Sequence, residues 1–404
     1  MAVAQGRPRE RTEIIQALLA RGSQRSVLLA RACLGYAAEL DPALRAEVER
    51  QAGRLIPPTS VGTARELGRI GPLVLELLPP PERAAAAPAA LYTVQAAGGV
   101  LSELPIPFLA RYSAHPAYEV RAAPARLWPR FDTRRYAAEV ISLLPADQNV
   151  TVVSDAELAA LAEFSPRQDL NVVGEVTGEA LGTYLGAIRA LYLAVRGNGL
   201  LTDLGFLKGQ DALRSIEISH CSGIRDLSGL MGLPVRSAVL DLRSDLLPIG
   251  PVLAGWTALR DLVLRGTHAN WSLDGFAPRV ELDSVNVYSV TPDSAGPVGL
   301  SRHRGLRSVS LGERWAPRDP AEWQELALLT KLAELAVPGP ALDLVPDGLS
   351  MPSVEQLHVP RSRGVSPEVA GRLPAVFPAL RSVSGHFDDA AIAALPPHIQ
   401  ATIS

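Results

Sequence analysis

Residues 213–218 read LRSIEI, with apolar side chains at the first, fourth and sixth positions and polar ones between them. The same spacing recurs in nine copies that begin at residues 188, 213, 237, 259, 282, 306, 332, 354 and 380. The steps between copies are 22–26 residues, within the 20–29-residue period of leucine-rich repeats. In a short strand, the fourth and sixth side chains point to one side, and stacked copies bury that side in a shared core. The pattern predicts a leucine-rich repeat solenoid over residues 188–385 with a parallel β-sheet on its concave side.

Weaker signals flank these copies. Residues 150–153 and 170–173 look like short strands around a helix from Asp155 to Phe164, so residues 148–187 are interpreted as an N-terminal cap or as degenerate repeats. The segment 386–404 is predicted to cap the other end.

The first third of the chain has helical periodicity. Residues 11–147 show apolar side chains three to four positions apart, and recurrent prolines divide them into helices of about 10–18 residues. Paired short helices of this kind predict a HEAT-like α-solenoid, preceded by a flexible segment at residues 1–10. The predicted fold class is therefore an α/β repeat protein, with a helical solenoid followed by a leucine-rich repeat solenoid.

Composition limits the kinds of partner and compartment. A formal net charge of −3 and a pI near 6.2 provide no global basic field, so nucleic acid is not an expected partner. The longest weakly apolar stretch, residues 84–110, is interrupted by Pro88, Glu103 and Pro105, and no membrane association is predicted. Two cysteines and a polar, arginine-rich start predict a cytoplasmic protein without a disulfide framework.

The sequence lacks the common catalytic motifs. Lys208 and Lys331 are the only lysines, and neither stands in the Gly-x-x-x-x-Gly-Lys-Ser/Thr loop that holds nucleotide phosphates. His220 and Cys221 could suggest a metal or thiol site, but Cys221 falls at the ninth repeat position, where a packed turn residue is expected. We therefore predict a non-enzymatic protein without metal or cofactor, although an unrecognised catalytic site stays an alternative.

One cluster points to a family. The segment His115–Ala123 reads HPAYEVRAA, and Trp128, Phe131–Asp132 and Tyr136–Ala137 follow it, ahead of the repeats. This combination resembles the C-terminal portion of bacterial NACHT proteins, which belong to the STAND class of signalling ATPases and are related to animal NOD-like receptors. The resemblance implies a ligand-sensing and autoinhibitory region of a signalling or antiphage defence protein. Because the phosphate loop is absent, it also implies that the chain is a fragment of a larger NTPase or a separate gene product.

The candidate binding residues follow from the repeat pattern. Third and fifth positions of each copy point away from the core and include Tyr192, Glu217, Asp241, Asp261, Asn286, Glu334, Gln356 and His358. Second positions place Arg214, Arg260 and Arg307, together with Arg189 and Arg381, along one rim. These arginines either solvate that rim or contact an acidic partner. The expected partner is a protein, such as a phage or host protein or a NACHT ATPase module, and the alternative is a freestanding scaffold or adaptor.

Overall fold

The structure is a computed structural model that describes residues 8–34, 39–84, 86–164, 166–242, 249–266, 280–288, 296–313, 315–360 and 364–403. Most of the segment predicted to be flexible, residues 1–10, lies outside the described residues. The chain divides into two compact units, Met1–Thr151 with Ala159–Arg167 and Val152–Leu158 with Gln168–Ser404. The domain bounds derived from the sequence, with a junction near residue 147, stay predictions.

The first unit is built of short helices. Its described α-helices are α1 (Pro8–Ala20), α2 (Gln24–Cys33), α3 (Pro42–Gly53), α4 (Val61–Ile70), α5 (Leu73–Leu77), α6 (Ala87–Gly98), α7 (Ile106–Tyr112), α8 (Tyr118–Ala125) and α9 (Thr133–Glu139). Its described residues also form the 3₁₀ turns Trp128–Arg130 and Ile141–Leu143. The helices bury apolar side chains against one another, including Ile15, Ala30 and Val48 in one cluster.

Polar caps and prolines set the helix limits. The carboxylate of Asp41 accepts from the Ala43 backbone N–H at 2.7 Å, and Ser60 and Thr63 form a reciprocal capping box at the start of α4. Several helices are shorter than the predicted 10–18 residues, down to five residues in α5. Pro72 and Pro105 are the N-cap residues directly before α5 and α7, and proline is well tolerated at a helix start. The pairing of these helices into HEAT-like repeats stays a prediction.

Apart from Val150 and Thr151 at its start, the repeat sheet lies in the second unit. Twelve parallel strands lie in chain order: β1 (Val150–Val152), β2 (Asp169–Val173), β3 (Tyr192–Arg196), β4 (Ser215–Ser219), β5 (Ser237–Asp241), β6 (Asp261–Arg265), β7 (Ser284–Val287), β8 (Ser308–Leu311), β9 (Glu334–Ala336), β10 (Gln356–Val359), β11 (Ser382–Gly385) and β12 (Gln400–Ile403). From β2 to β11 there is one strand per 22–26 residues, each parallel to the next, which is the architecture of a leucine-rich repeat solenoid.

In the connections that the structure describes, short helical segments return the chain from one strand to the next. The α-helices are α10 (Asp155–Ala162), α11 (Gly178–Ile188), α12 (Gly250–Gly255), α13 (Pro320–Ala327), α14 (Gly339–Leu342), α15 (Pro367–Val376) and α16 (Asp389–Ala393). The 3₁₀ turns are Gly205–Leu207, Ser228–Leu230 and Leu300–Arg302. The first two of these turns lie where leucines recur every three residues, at Leu201, Leu204 and Leu207 and at Leu227, Leu230 and Leu233. This spacing suits a 3₁₀ turn, which has three residues per turn.

Two of the nine copies are in a different register from the one predicted. Leu193, not Leu191, pairs with Ile216, so the first copy buries Leu193 and Val195 while Leu191 stays 40% exposed. Arg189 explains this shift, because it adopts a left-handed conformation (φ 55°) that ends α11 and delays the strand by two residues.

In the third copy Ala238 pairs with Ile216, where Leu240 was expected. Ala238 occupies the fourth position of this copy, and the prediction missed it because alanine is smaller than the expected leucine. The first position is filled by Val235 rather than by Ser237. Both predicted registers are shifted by two residues. Because side chains alternate with a period of two, the prediction of which side chains face inward and which face outward is still correct for these strands.

Strands continue beyond the predicted repeat region. Leu170 pairs with Leu193 on the N-terminal side, which makes residues 169–173 a repeat strand. On the C-terminal side Ala401 pairs with Val383, so the segment interpreted as a cap contains both α16 and β12.

The register makes a stability prediction. Leu193→Ala should lower the free energy of unfolding by about 2–5 kcal/mol, because it leaves a cavity in the shared core. Leu191→Ala, two residues away, should cost about 0.5 kcal/mol or less because that side chain is partly exposed. Urea denaturation followed by circular dichroism measures both, and equal losses in the two variants would contradict the observed register.

Candidate functional site

The outward face of the repeat sheet consists of side chains that alternate with the buried ones. Parallel pairing aligns these side chains in rows that run across the sheet. Neighbouring strands, and therefore neighbouring members of a row, lie about 4.8 Å apart. One row contains Tyr192, Ser215, Ser237, Asp261, Ser284, Ser308, Glu334, Gln356 and Ser382. The next contains Ala194, Glu217, Val239, Val263, Asn286, Ser310, Ala336, His358 and Ser384. The structure thus places seven of the eight predicted outward residues in two adjacent rows of one face.

A third row was missed by the sequence interpretation. It contains Arg196, Ser219, Asp241 and Arg265, and it exists because β3 to β6 each extend to five residues. Asp241, the remaining predicted residue, lies in this row. The sequence signal was the continued alternation beyond the sixth position, and the shifted register of the first copy concealed Arg196.

A bidentate ion pair organises the first strands of this face. Arg196 donates from Nε to Glu217 Oε1 at 2.7 Å and from Nη2 to Glu217 Oε2 at 2.6 Å. The hydroxyl of Tyr192 donates to the same Oε2 at 3.0 Å. Hydrogen bonds from Arg196 hold the pKa of Glu217 below its ordinary value, while burial and the Glu217 carboxylate raise the pKa of Tyr192 to about 12. Glu217 is therefore a structural carboxylate, already bound within the protein.

The later strands form a polar groove. A cavity of about 230 Å³ lies over β7–β11 and includes the predicted residues Asn286, Glu334, Gln356 and His358 in its lining. Four serine hydroxyls line the same groove, and His358 Nδ1 lies 2.9 Å from Ser384 Oγ. The volume is below the 300–1,000 Å³ typical of small-molecule pockets.

The arginine rim differs from the prediction in two members, one added and one removed. Backbone hydrogen bonds link second positions of successive copies, and the run includes Arg214, Arg236 and Arg260. Arg236 occupies the second position of the third copy, and the prediction missed it because it placed that copy two residues too late. Arg189 is not part of the rim, because it caps α11 in the left-handed conformation.

Several rim guanidinium groups bind their own chain. Arg214 donates to the carbonyls of Asp211 and Leu213 at 2.7 and 2.9 Å, and Arg260 forms an exposed ion pair with Glu281 at 3.2 Å. Arg307 lies in the same row, where its backbone N–H donates to the Asp283 carbonyl. The exposed pair of Arg260 with Glu281 contributes little to stability.

The side chains considered for chemistry lie in different environments. Cys221 is buried, its Sγ lies 3.3 Å from the Ser219 carbonyl, and burial raises the pKa of its thiol. His220 is mostly exposed and its Nε2 lies 3.7 Å from Asp241. A raised thiol pKa disfavours the reactive thiolate, so the predicted packing role of Cys221 is confirmed. Within the described residues, no group of three or more His, Cys, Asp or Glu side chains is arranged to hold a metal ion.

Comparisons with known proteins identify only distant similarity. No protein-family model and no curated protein matches the chain. Among solved structures, an internalin from Listeria monocytogenes is 14% identical, with a TM-score of 0.40, over 63% of this chain and 77% of the internalin. A leucine-rich repeat protein from Leptospira interrogans is 11% identical, with a TM-score of 0.35, over 67% of this chain and 79% of that protein.

The Toll–Spätzle complex of Drosophila is 14% identical, with a TM-score of 0.38, over 63% of this chain and 41% of the matched one. Because all these scores are low, the assignment of the second unit to the leucine-rich repeat class rests on its own motif and strand register. No helix in the described part of the chain is long and apolar enough to span a membrane.

The ion pair makes a pH-dependent prediction. Because the pKa of Glu217 is lowered on folding, its contribution is complete above the ordinary value of 4.5 and is lost as the pH falls through the lower folded value. Glu217→Gln should reduce the free energy of unfolding by about 1–3 kcal/mol at pH 7. The difference from the unmodified protein should disappear in acid, where Glu217 is itself protonated.

Urea denaturation at a series of pH values from 7 downwards tests this, with Glu334→Gln as the control, an exposed carboxyl on the same face. The effect of Glu217→Gln should shrink as the pH falls below 4.5, and an effect that stays constant over the whole acid range in which the protein is folded would show that the carboxylate charge is not the cause.

Proposed function

We propose that this chain is a non-catalytic protein-interaction module that binds a protein partner through the outward face of its repeat sheet. The polar groove over β7–β11 carries the proposal, because it presents exposed hydrogen-bonding groups on a rigid sheet. Glu334, Gln356 and His358 are exposed there, and they can contact a partner without any rearrangement of the core. Binding energy in such interfaces is concentrated in a few residues.

We further propose that the module is the ligand-sensing and autoinhibitory region of a bacterial NACHT/STAND signalling or antiphage defence protein that acts in the cytoplasm. The resemblance of residues 115–137 to that family supports this proposal. In the structure Trp128 and Tyr136 are fully buried, and Tyr136 donates to the Pro124 carbonyl at 2.8 Å. Phe131 stacks on Tyr136 at 4.8 Å. These aromatic residues therefore hold α8 and α9 together, and recognition falls to other residues.

The alternative is a freestanding scaffold or adaptor. Both hypotheses use the same binding face. They differ in whether partner binding controls an ATPase module or only brings proteins together. A neighbouring or fused reading frame with a phosphate loop, whose product binds this chain, supports the switch; its absence in the source genome supports the scaffold.

The binding face can be tested by partner capture. The tagged chain should retain a specific protein from native cells, and Glu334→Ala/Gln356→Ala/His358→Ala should reduce the recovered amount about tenfold or more. All three side chains are exposed, so folding should be unaffected.

The matched control is Met231→Ala/Leu328→Ala/Leu344→Ala, which changes exposed side chains in the segments between strands. Loss of capture in this control alone would place the binding surface outside the sheet face. Retained capture by both variants would remove the groove from the proposal.

The absence of a phosphate loop makes a separate prediction. The purified chain should neither bind nor hydrolyse ATP above the buffer rate, because neither Lys208 nor Lys331 lies in a phosphate-binding loop. A coupled phosphate-release assay measures hydrolysis. Turnover that survives further purification and follows the protein would contradict the non-catalytic assignment.

A further inference from the structure

The first unit contains a cleft that is independent of the repeat face. It encloses about 700 Å³, and four arginines, Arg65, Arg69, Arg126 and Arg130, contribute to its lining. None of the described residues that line it is acidic. The cleft therefore concentrates positive charge in a protein whose formal net charge is −3.

Close packing of α4 against the end of α6 sets the position of Arg65 and Arg69. A Cβ at Gly68 would lie 2.8 Å from Gly99 Cα and 2.9 Å from the Ala96 carbonyl oxygen, so only glycine allows α4 to approach the end of α6 this closely. Arg65 and Arg69 are four residues apart on α4. Side chains at that spacing lie on one face of a helix, and this face borders the cleft.

The second pair is held by a buried tryptophan. Arg126 follows α8 and Arg130 ends the next 3₁₀ turn. Trp128 between them is fully buried and donates from Nε1 to the Thr133 carbonyl at 3.0 Å. Arg130 donates from Nη1 to the Gly98 carbonyl at 2.9 Å, which fixes its side chain beside the cleft.

Little of this charge is neutralised within the protein. Arg69 forms an exposed ion pair with Glu66 at 2.8 Å, which water and salt screen. Among the described residues, Arg65 and Arg126 have no side-chain hydrogen bond or ion pair. A guanidinium group presents a planar set of donors that matches a carboxylate, so these two side chains are available to bind one.

Apolar side chains accompany the arginines. Leu101 is 98% exposed and Val61 is 51% exposed, and both line the cleft. The lining residues that the structure describes include no aromatic ring, which disfavours single-stranded nucleic acid because bases bind by stacking on such rings. A small inorganic anion would leave the apolar surface exposed. Carboxylates beside an apolar side chain match both features of the cleft.

We propose that the cleft binds an acidic peptide segment of a protein partner. Its carboxylates pair with Arg65 and Arg126, and an apolar side chain between them packs on Leu101. Pairing with Arg69 and Arg130 extends the same recognition along the segment.

Fluorescence anisotropy on the full chain tests the proposal with a fluorescein-labelled peptide that repeats Glu-Asp-Leu. The peptide should bind saturably, and added salt should lower its affinity. The double variant Arg65→Gln/Arg126→Gln should lower the affinity about tenfold or more, and Leu101→Ser should lower it several-fold. Arg54→Gln/Arg134→Gln, which changes exposed arginines of the same unit away from the cleft, should leave the affinity unchanged. Circular dichroism and thermal unfolding confirm that each variant is folded.

Competition experiments separate the possible ligands. A Gln-Asn-Leu repeat peptide, oligothymidylate and pyrophosphate should all displace the probe poorly. Stronger competition by oligothymidylate would overturn the proposal in favour of a nucleic-acid site, and equal competition by pyrophosphate in favour of a phosphate site. Absence of saturable binding, or unchanged affinity in the cleft variant, would also overturn it. None of these outcomes affects the repeat face, because the residues tested lie in the first unit.

Discussion

Parallel pairing of each strand with its two neighbours is the interaction on which the second unit depends. A strand of four or five residues cannot bury its inward side chains alone. Leu193, Ile216 and Leu262 are fully buried because adjacent copies close over one another. The same pairing satisfies the backbone N–H and C=O groups that would otherwise be orphaned, as in the bond from Arg236 N to the Arg214 carbonyl at 2.7 Å. A change of register in one copy therefore alters which side chains its neighbours bury.

The binding face is a consequence of this constraint. Alternation sends every second side chain outward, and pairing places the outward residues of different copies side by side. Residues distant in sequence thus become neighbours, as with Arg196 and Glu217, which are 21 residues apart. Because the core is fixed by the inward residues, the outward ones can vary without loss of fold. The face accordingly differs along the sheet, with a charged network on β3 and β4 and an open polar groove over β7–β11.

The repeat unit was predictable because its pattern is local and periodic. Seven of nine copies were placed in the correct register, and the sides of all strands were correct since both errors were of two residues. The errors arose where one local feature outweighed the motif: the left-handed Arg189 delayed β3, and the small Ala238 obscured a buried position. Arg196 was missed for the same reason. The arginine cleft could not be found from sequence, because it depends on the close contact of Gly68 with Gly99, which no periodicity indicates.

The two units also show why net charge is a weak guide to recognition. A value of −3 excludes a basic field over the whole protein, and that was the basis for excluding nucleic acid as a partner. Local fields act over about 10 Å under ordinary salt conditions, which is the scale of a single cleft. Arg65, Arg69, Arg126 and Arg130 therefore create a positive site in a chain that is nearly neutral overall. Among the described residues of the cleft there is no aromatic side chain, and leucine is exposed there, which disfavours single-stranded nucleic acid by a local argument that composition could not supply.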